Sequence, residues 1–197
     1  YVLANTQDRQ LSELKEEWDV DRVDQWQGVF DDTFSKSWEE DDQTFNITGW
    51  TSSYTGDLIP AVEMKEWVDN VVSRVLSYKP KRVMEIGCGT GLLVNRIAPH
   101  CEHYFGCDFS ESVLQQLQKG LAESGLKNVT FDHRPADKFE GIENNSFDAL
   151  IVNSVAQYFP GVDYLLRVLE GAVETVAPGG VIVIGDVRNR ELLDAFH

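Results

Sequence analysis

Apolar positions in this chain change their period from one stretch to the next, and those changes outline its elements. From Leu11 to Phe30, apolar residues Leu11, Leu14, Trp18, Val23, Trp26 and Phe30 recur at steps of three to five among acids, which predicts a helix. Residues 31–44 are acidic and irregular, with Phe34 and Trp38 as isolated aromatics. Phe45 to Gly56 mixes glycine, hydroxyl and aromatic side chains and reads as a loop. Pro60 then sits where a first helical position is expected, and Met64, Trp67, Val68, Val71, Val75 and Leu76 mark one face of a helix.

Beyond this helix, short continuous apolar runs alternate with amphipathic stretches. Arg82 to Ile86 reads as a buried strand, and Leu92 to Ala98 as a helix that Pro99 stops. His103 to Asp108 is the second strand. Ser110 is placed to cap a helix with Val113, Leu114, Leu117 and Leu121 inward, which Gly125 ends. Val129 to Phe131 and Phe147 to Asn153 are the third and fourth strands; the fourth is continuously apolar, as a strand covered on both faces should be. A helix from about Val162 to Val176 should point Leu165, Leu166, Leu169, Ala172, Val173 and Val176 inward, and Pro178-Gly179-Gly180 should turn into a fifth strand, Val181 to Ile184. Strands alternating with helices predict an α/β fold, a doubly wound parallel sheet covered on both sides.

The strand-to-helix turn after Ile86 carries the chemistry. Its pattern is Glu85-x-Gly87-x-Gly89-x-Gly91, in which glycines let backbone approach a ligand closely and aim N–H groups at it. A dinucleotide site of the G-x-G-x-x-G kind would not place a carboxylate beside a pyrophosphate. An acid at the mouth suits a cationic ligand, and S-adenosyl-L-methionine, with its sulfonium and ammonium and no phosphate, meets that requirement. Asp108, seventeen positions after Gly91, ends the next strand at the carboxyl edge, where it can accept from both ribose hydroxyls. At these residues the chain resembles the class I S-adenosylmethionine-dependent methyltransferases, which implies a Rossmann-like core.

Composition narrows the picture. The length of 197 residues suits one sizeable core. No apolar stretch approaches the ~20 residues of a membrane span, and the start of the chain is too short and uncharged for a signal peptide, so the expected location is cytoplasmic. Cys88, Cys101 and Cys107 lack Cys-x-x-Cys spacing and read as buried free thiols; no metal centre is expected. Seventeen Lys and Arg against 33 Asp and Glu give a formal charge of -16, a surface that repels phosphate backbones and argues against a nucleic-acid acceptor.

Further motifs sharpen the resemblance. Phe45 to Tyr54 with Ile59-Pro60 and Glu66-Trp67-Val68, then Gly91-Leu92-Leu93 and Ile97 to Glu102, then Asn153-Ser154-Val155-Ala156-Gln157-Tyr158-Phe159-Pro160 and Gly185 to Arg188 are together similar to methyltransferase domains embedded in bacterial nonribosomal peptide and polyketide synthases. The similarity covers roughly residues 22–197. It implies an N-terminal helical lid over 22–59 and a cofactor-binding core over 60–197, lacking the sixth and seventh strands of the class. Residues 1–21 are expected to be a linker or the end of a preceding adenylation-like domain, since Tyr1-Val2-Leu3-Ala4 is similar to the segment at which such inserts begin. The implied partners are a phosphopantetheinylated carrier-protein domain with a tethered acyl substrate and neighbouring megasynthase domains, with neither nucleic acid nor membrane.

Within the resemblance, Glu85, Gly87, Gly89, Gly91 and Asp108 are cofactor residues, with Trp50 and Tyr54 as aromatic faces of a lid; the alternative for those two is a loop packed on the core. Asp137 is placed to accept the adenine amino group or is a solvated loop acid. Asn153 leaves the fourth strand at the ligand-binding edge or bonds its own loop. Gln157 and Tyr158 should face the acceptor. Transfer to an aminoacyl nitrogen needs no strong base, whereas a hydroxyl acceptor would want one; Tyr158 and His197 are the candidate catalytic groups, and His100, His103 and His133 read as surface or packing residues. N-methylation of a carrier-bound aminoacyl thioester is favoured. The alternatives are O-methylation of a carrier-bound hydroxyl or enol, and a non-catalytic cofactor-binding or interaction module.

Overall fold

A computed structural model describes residues 44–187 apart from Ser53, together with Gly28. The expected helix over Leu11–Phe30, His197, and the divisions at residues 1–21 lie outside the described residues. The 22–59 region is described only from Thr44, with Gly28 besides.

Five strands form one parallel sheet in the order β3-β2-β1-β4-β5. They are β1 (Arg82–Ile86), β2 (His103–Asp108), β3 (Val129–His133), β4 (Phe147–Asn153) and β5 (Val176–Gly185). Among the described residues from Thr44 on, four α-helices accompany them: α1 (Ala61–Ser77), α2 (Val94–Ile97), α3 (Glu111–Ser124) and α4 (Val162–Thr175). The chain steps outward from β1 to β3 and then returns to β4 beside β1. That reversal opens a crevice at the carboxyl ends of β1 and β4.

Strand alternation divides the core in two. Val83, Tyr104, Ala149 and Ile151 pack with Met64 and Val68 of α1, Val94 and Ile97 of α2, and Leu114, Leu117 and Leu121 of α3. Met84, Ile86, Leu150 and Val152 pack on the opposite face with Tyr164, Val168 and Ala172 of α4. Both faces are therefore covered, as continuous apolar strands require. At the amino edge, Asp148 Oδ2 accepts from the amides of Lys81 and Arg82 at 2.9 and 2.8 Å, tying the start of β1 to β4. Ser110 caps α3 by accepting from the Val113 amide, and Gly125 ends that helix with φ of 77°.

Three local expectations are corrected. The helix after the glycine loop is only Val94–Ile97, because Pro99 opens a separate 3-10 turn, Ala98–His100, instead of following a longer helix. The dipole behind the loop is correspondingly small. On α4 the buried face is Tyr164, Val168, Ala172 and Thr175, while Leu166 and Val173 are exposed. Tyr164 moves the apolar stripe round, since it pairs its ring with Phe159 and reaches the loop after β3. Finally, Val176 already pairs with Phe147, and pairing resumes at Val181 opposite Ala149. Pro178, Gly179 and Gly180 thus form a bulge within β5, with Gly179 at φ of 85°, rather than a turn before it.

Candidate active site

The loop after β1 is held by its own backbone. Gly87, Gly89 and Gly91 have φ of 71°, 48° and 83°, a region that a Cβ disfavours. The amides of Gly87 and Cys88 both donate to the Cys107 carbonyl, at 2.8 and 3.1 Å, and the Gly89 amide donates to Asp108 Oδ2 at 2.9 Å. A phosphate cradle keeps such N–H groups for its ligand. Here they fasten the loop to β2, and what the loop leaves is close access. A Cβ built on Gly87 would lie 2.4 Å from Val155 Cγ2, so the loop after β4 presses directly on the glycine turn.

Two buried carboxyls flank this turn. Asp108 is oriented by two backbone donors, Gly89 on Oδ2 and Ser110 on Oδ1, the latter at 2.9 Å. Glu85 accepts a 2.5 Å hydrogen bond from the Tyr104 hydroxyl, on the sheet face shared with Asp108. Burial pushes the Glu85 carboxyl up to about 8, against the Tyr104 hydrogen bond that lowers it, and the Asp108 charge adds to the rise. A cation arriving at this mouth would favour the carboxylate over the protonated acid.

The segment before α1 is strapped onto the loop. Thr90 Oγ donates to the Asn46 carbonyl at 2.8 Å, and Arg96 donates to the Thr44 carbonyl at 2.9 Å while its guanidinium lies over the Phe45 ring. Thr51 pairs antiparallel with Leu58 in a small hairpin, in which the Ile59 amide donates to the Trp50 carbonyl. Trp50 packs on Trp67 of α1, with ring centroids 4.7 Å apart, and Tyr54 stands at the exposed tip.

Asp137 lies after β3 and accepts from Arg167 Nε of α4 at 3.0 Å; the Tyr164 hydroxyl is bonded to it as well. Sequence alone held no sign of either partner, which come from a helix thirty residues on. At the ends of β4 and β5, Asn153 Nδ2 donates to Ser154 Oγ at 3.3 Å, and Ser154 Oγ donates to Asp186 Oδ2 at 2.7 Å. Asn153 Oδ1 and Gln157 Oε1 are buried and have no hydrogen-bond partner. Tyr158 is half-exposed in the same loop. Of the histidines, His103 at the start of β2 bonds the Thr130 hydroxyl, while His133 ends β3 opposite Asp108 and bonds the Phe109 carbonyl. The Tyr104, Thr90 and Ser154 contacts were beyond sequence reasoning, because each depends on a partner brought near only by the fold.

Residues 84–182 match a family described as a methyltransferase domain. The chain belongs to that family. This methyltransferase domain is 47% identical over 178 residues to chondramide synthase of Chondromyces crocatus, a match that covers 90% of this chain and 5% of the synthase. It is 33% identical over 191 residues to a nonribosomal peptide synthetase of Metarhizium robertsii, covering 93% of this chain and 2% of that protein. The chain thus spans a few per cent of the length of these relatives. In fold it resembles the N-methyltransferase NodS of Bradyrhizobium japonicum, with a TM-score of 0.59, 22% identity and coverage of 66% of this chain and 71% of that one. A phosphoethanolamine N-methyltransferase of Haemonchus contortus superposes with a TM-score of 0.62 over 83% of this chain and 32% of that one, at 18% identity.

The methyltransferase domain's donor set fits the family's cofactor, S-adenosyl-L-methionine. The buried acid Glu85 stands at the mouth, an oriented Asp108 ends β2, and glycines whose amides are bonded to the protein give close access. Among the described residues no helix is long and apolar enough to cross a membrane.

Proposed function

We propose that this methyltransferase domain moves a methyl group from S-adenosyl-L-methionine to the amino nitrogen of an aminoacyl thioester held on a carrier protein. The observation that carries the choice of acceptor is the loop after β4, Asn153 to Tyr158, which offers carbonyl and hydroxyl oxygens and no group that titrates near neutrality. An amine attached alpha to a thioester is neutral often enough to attack unaided. A hydroxyl is not.

In this reading the cofactor supplies an electrophilic methyl on a sulfonium. Glu85 neutralises the cationic methionine end once its own proton leaves, and Asp108 orients the ribose hydroxyls. Gly87, Gly89 and Gly91 admit the ligand against the backbone, and Val155 lays an apolar surface over the turn that keeps water from the reacting centre. Asp137, steadied by Arg167, faces the adenine side. Trp50 and Tyr54 belong to the hairpin that covers the cofactor, and Gln157 and Tyr158 meet the acceptor. The protein contributes chiefly alignment of nitrogen, methyl and sulfur, for which effective concentrations are large. Synthetase domains next to this one, and a phosphopantetheine arm, would deliver the substrate; the synthetase relatives support this partnership.

A carrier protein loaded in parallel with aminoacyl and β-hydroxyacyl phosphopantetheine, incubated with the full-length protein and S-adenosyl-L-methionine, tests the assignment by intact-protein mass spectrometry. A gain of one methyl on the aminoacyl form alone is expected. Methylation of the hydroxyacyl form alone would replace the proposal with O-transfer, and would make His197 the base to examine.

A further inference from the structure

Resting on the amine-acceptor reading, we infer that Asn153 Oδ1 and Gln157 Oε1 form a two-acceptor subsite that grips both N–H groups of a primary amine and so limits the domain to a single methylation. Sequence reasoning placed Asn153 among the cofactor contacts; its hydrogen bonding points to the acceptor instead. The Ser154 hydroxyl has one proton, which it gives to Asp186 Oδ2. Towards Asn153 it can therefore only accept, so the Asn153 amide must turn its NH2 to Ser154 and present its oxygen elsewhere. That oxygen is buried in a side chain only 7% exposed, and it has no partner. Gln157 Oε1, four residues on in the same loop, is in the same condition.

Two further features show that this edge is shaped. Ser154 and Asp186, both non-glycine, hold φ of 59° and 55° at the ends of neighbouring strands, a conformation that surrounding contacts must maintain. Gly185 lies opposite Asn153 in the sheet, and a Cβ there would come within 1.9 Å of Asn153 Oδ1. The oxygen therefore packs against the β5 backbone at Gly185, and any side chain there would displace it. Orphaned buried acceptors cost stability unless a donor arrives. A neutral primary amine brings two.

The chemistry then balances simply. With both N–H groups held, the nitrogen lone pair points at the methyl carbon; the N–C bond forms as the C–S bond breaks, and its electron pair stays on sulfur as a neutral thioether. Nitrogen leaves as an N-methylammonium whose two N–H bonds, now more acidic, strengthen the same contacts, and one proton passes to solvent. The neutral product has a single N–H. Rebound as a substrate it would leave one oxygen orphaned, a mismatch of the kind that sites built on hydrogen bonds reject strongly.

Primary and N-methyl aminoacyl carriers, compared in the full-length protein and in its Gln157→Leu, Gln157→Glu and Gly185→Ala variants, test this with cofactor affinity measured alongside. Gln157→Leu and Gly185→Ala should slow methylation of the primary amine by about 10- to 100-fold and erode the preference for primary over N-methyl acceptor, with cofactor affinity unchanged. Gln157→Glu keeps an acceptor and should retain most of the preference, which separates the contact from a folding defect. Loss of cofactor affinity in step with rate would return these side chains to the cofactor site and overturn the inference, as would an unchanged preference in Gln157→Leu. Wild-type transfer confined to the hydroxyacyl carrier would instead overturn the amine reading itself.

Discussion

Two loops meet at the carboxyl edge of the sheet, one after β1 and one after β4, and their polar groups are in opposite states. After β1, the amides of Gly87, Cys88 and Gly89 are bonded to β2, and Asp108 is fixed by two backbone donors. After β4, Asn153 Oδ1 and Gln157 Oε1 are buried without partners, beside a serine in a left-handed conformation. The first loop is finished before any ligand arrives, so its contribution is shape and charge. The second is finished only by a ligand's donors, so its contribution is selection. In the proposed function, the acceptor meets an edge of this second kind, while the cofactor meets the first.

The comparison can be broken most severely at the point where the loops touch. Gly87→Ala adds a Cβ at φ of 71°, 2.4 Å from Val155 Cγ2, and should cost about 2–4 kcal/mol of stability through strain and overpacking, read as a fall in the denaturant midpoint. An unchanged midpoint would show that the contact between loops is slack. Next, Asp108→Ala should weaken cofactor affinity by ~1–3 kcal/mol in calorimetry, from lost hydrogen bonds to ribose and a freed Gly89 amide, without altering any preference between acceptors. A shift in acceptor preference would mean that the two loops are not separable.

A third test concerns Glu85 and pH. Its carboxyl titrates at about 8 when folded against an ordinary 4.5, so over that interval the folded chain keeps a proton that the unfolded chain releases. Stability from this group is therefore lost as pH rises from about 4.5 to about 8, and Glu85→Gln should flatten that decline. A bound cation favours the carboxylate, so cofactor binding at neutral pH should release protons, and affinity should gain at most about tenfold per pH unit before levelling above about 8. Calorimetry in two buffers of different ionisation enthalpy reads the release directly. No buffer dependence would mean that Glu85 is already charged in the free protein.

Much of this was legible from residues alone, for reasons that differ by element. The strand β4 is a continuous apolar run, the signature of burial on both faces. Strand β1 is a short apolar run that leads into the glycine turn, and the spacing of Glu85, the three glycines and Asp108 is local to the chain. The caps of α3 were equally plain, since Ser110 and Gly125 act on their own neighbours. Partners distant in sequence were hidden. Pro178-Gly179-Gly180 has the chemistry of a turn, yet Val176 ahead of it finds Phe147 of β4 and draws the whole stretch into β5. The inward face of α4 was misplaced because Tyr164, amphipathic by itself, is recruited by Phe159 and by the Asp137 loop. Asn153 was singled out correctly as an edge residue, but which of its atoms is free depends on Ser154 and Asp186, a relay crossing two strands.

The cysteines of the sheet carry a consequence for self-damage. A sulfonium methyl donor alkylates thiolates, so a cysteine inside the cofactor loop is a hazard to a catalyst that holds one. Burial raises the Cys88 thiol well above its ordinary value and Cys107 to about 12, with the negative charge of Asp108 adding in each case. The carboxylate proposed to orient the cofactor thus also keeps the neighbouring sulfur protonated and inert. The domain can store a reactive alkylating agent beside its own thiols because the same dry, acidic surroundings that receive the agent deny those thiols their reactive form.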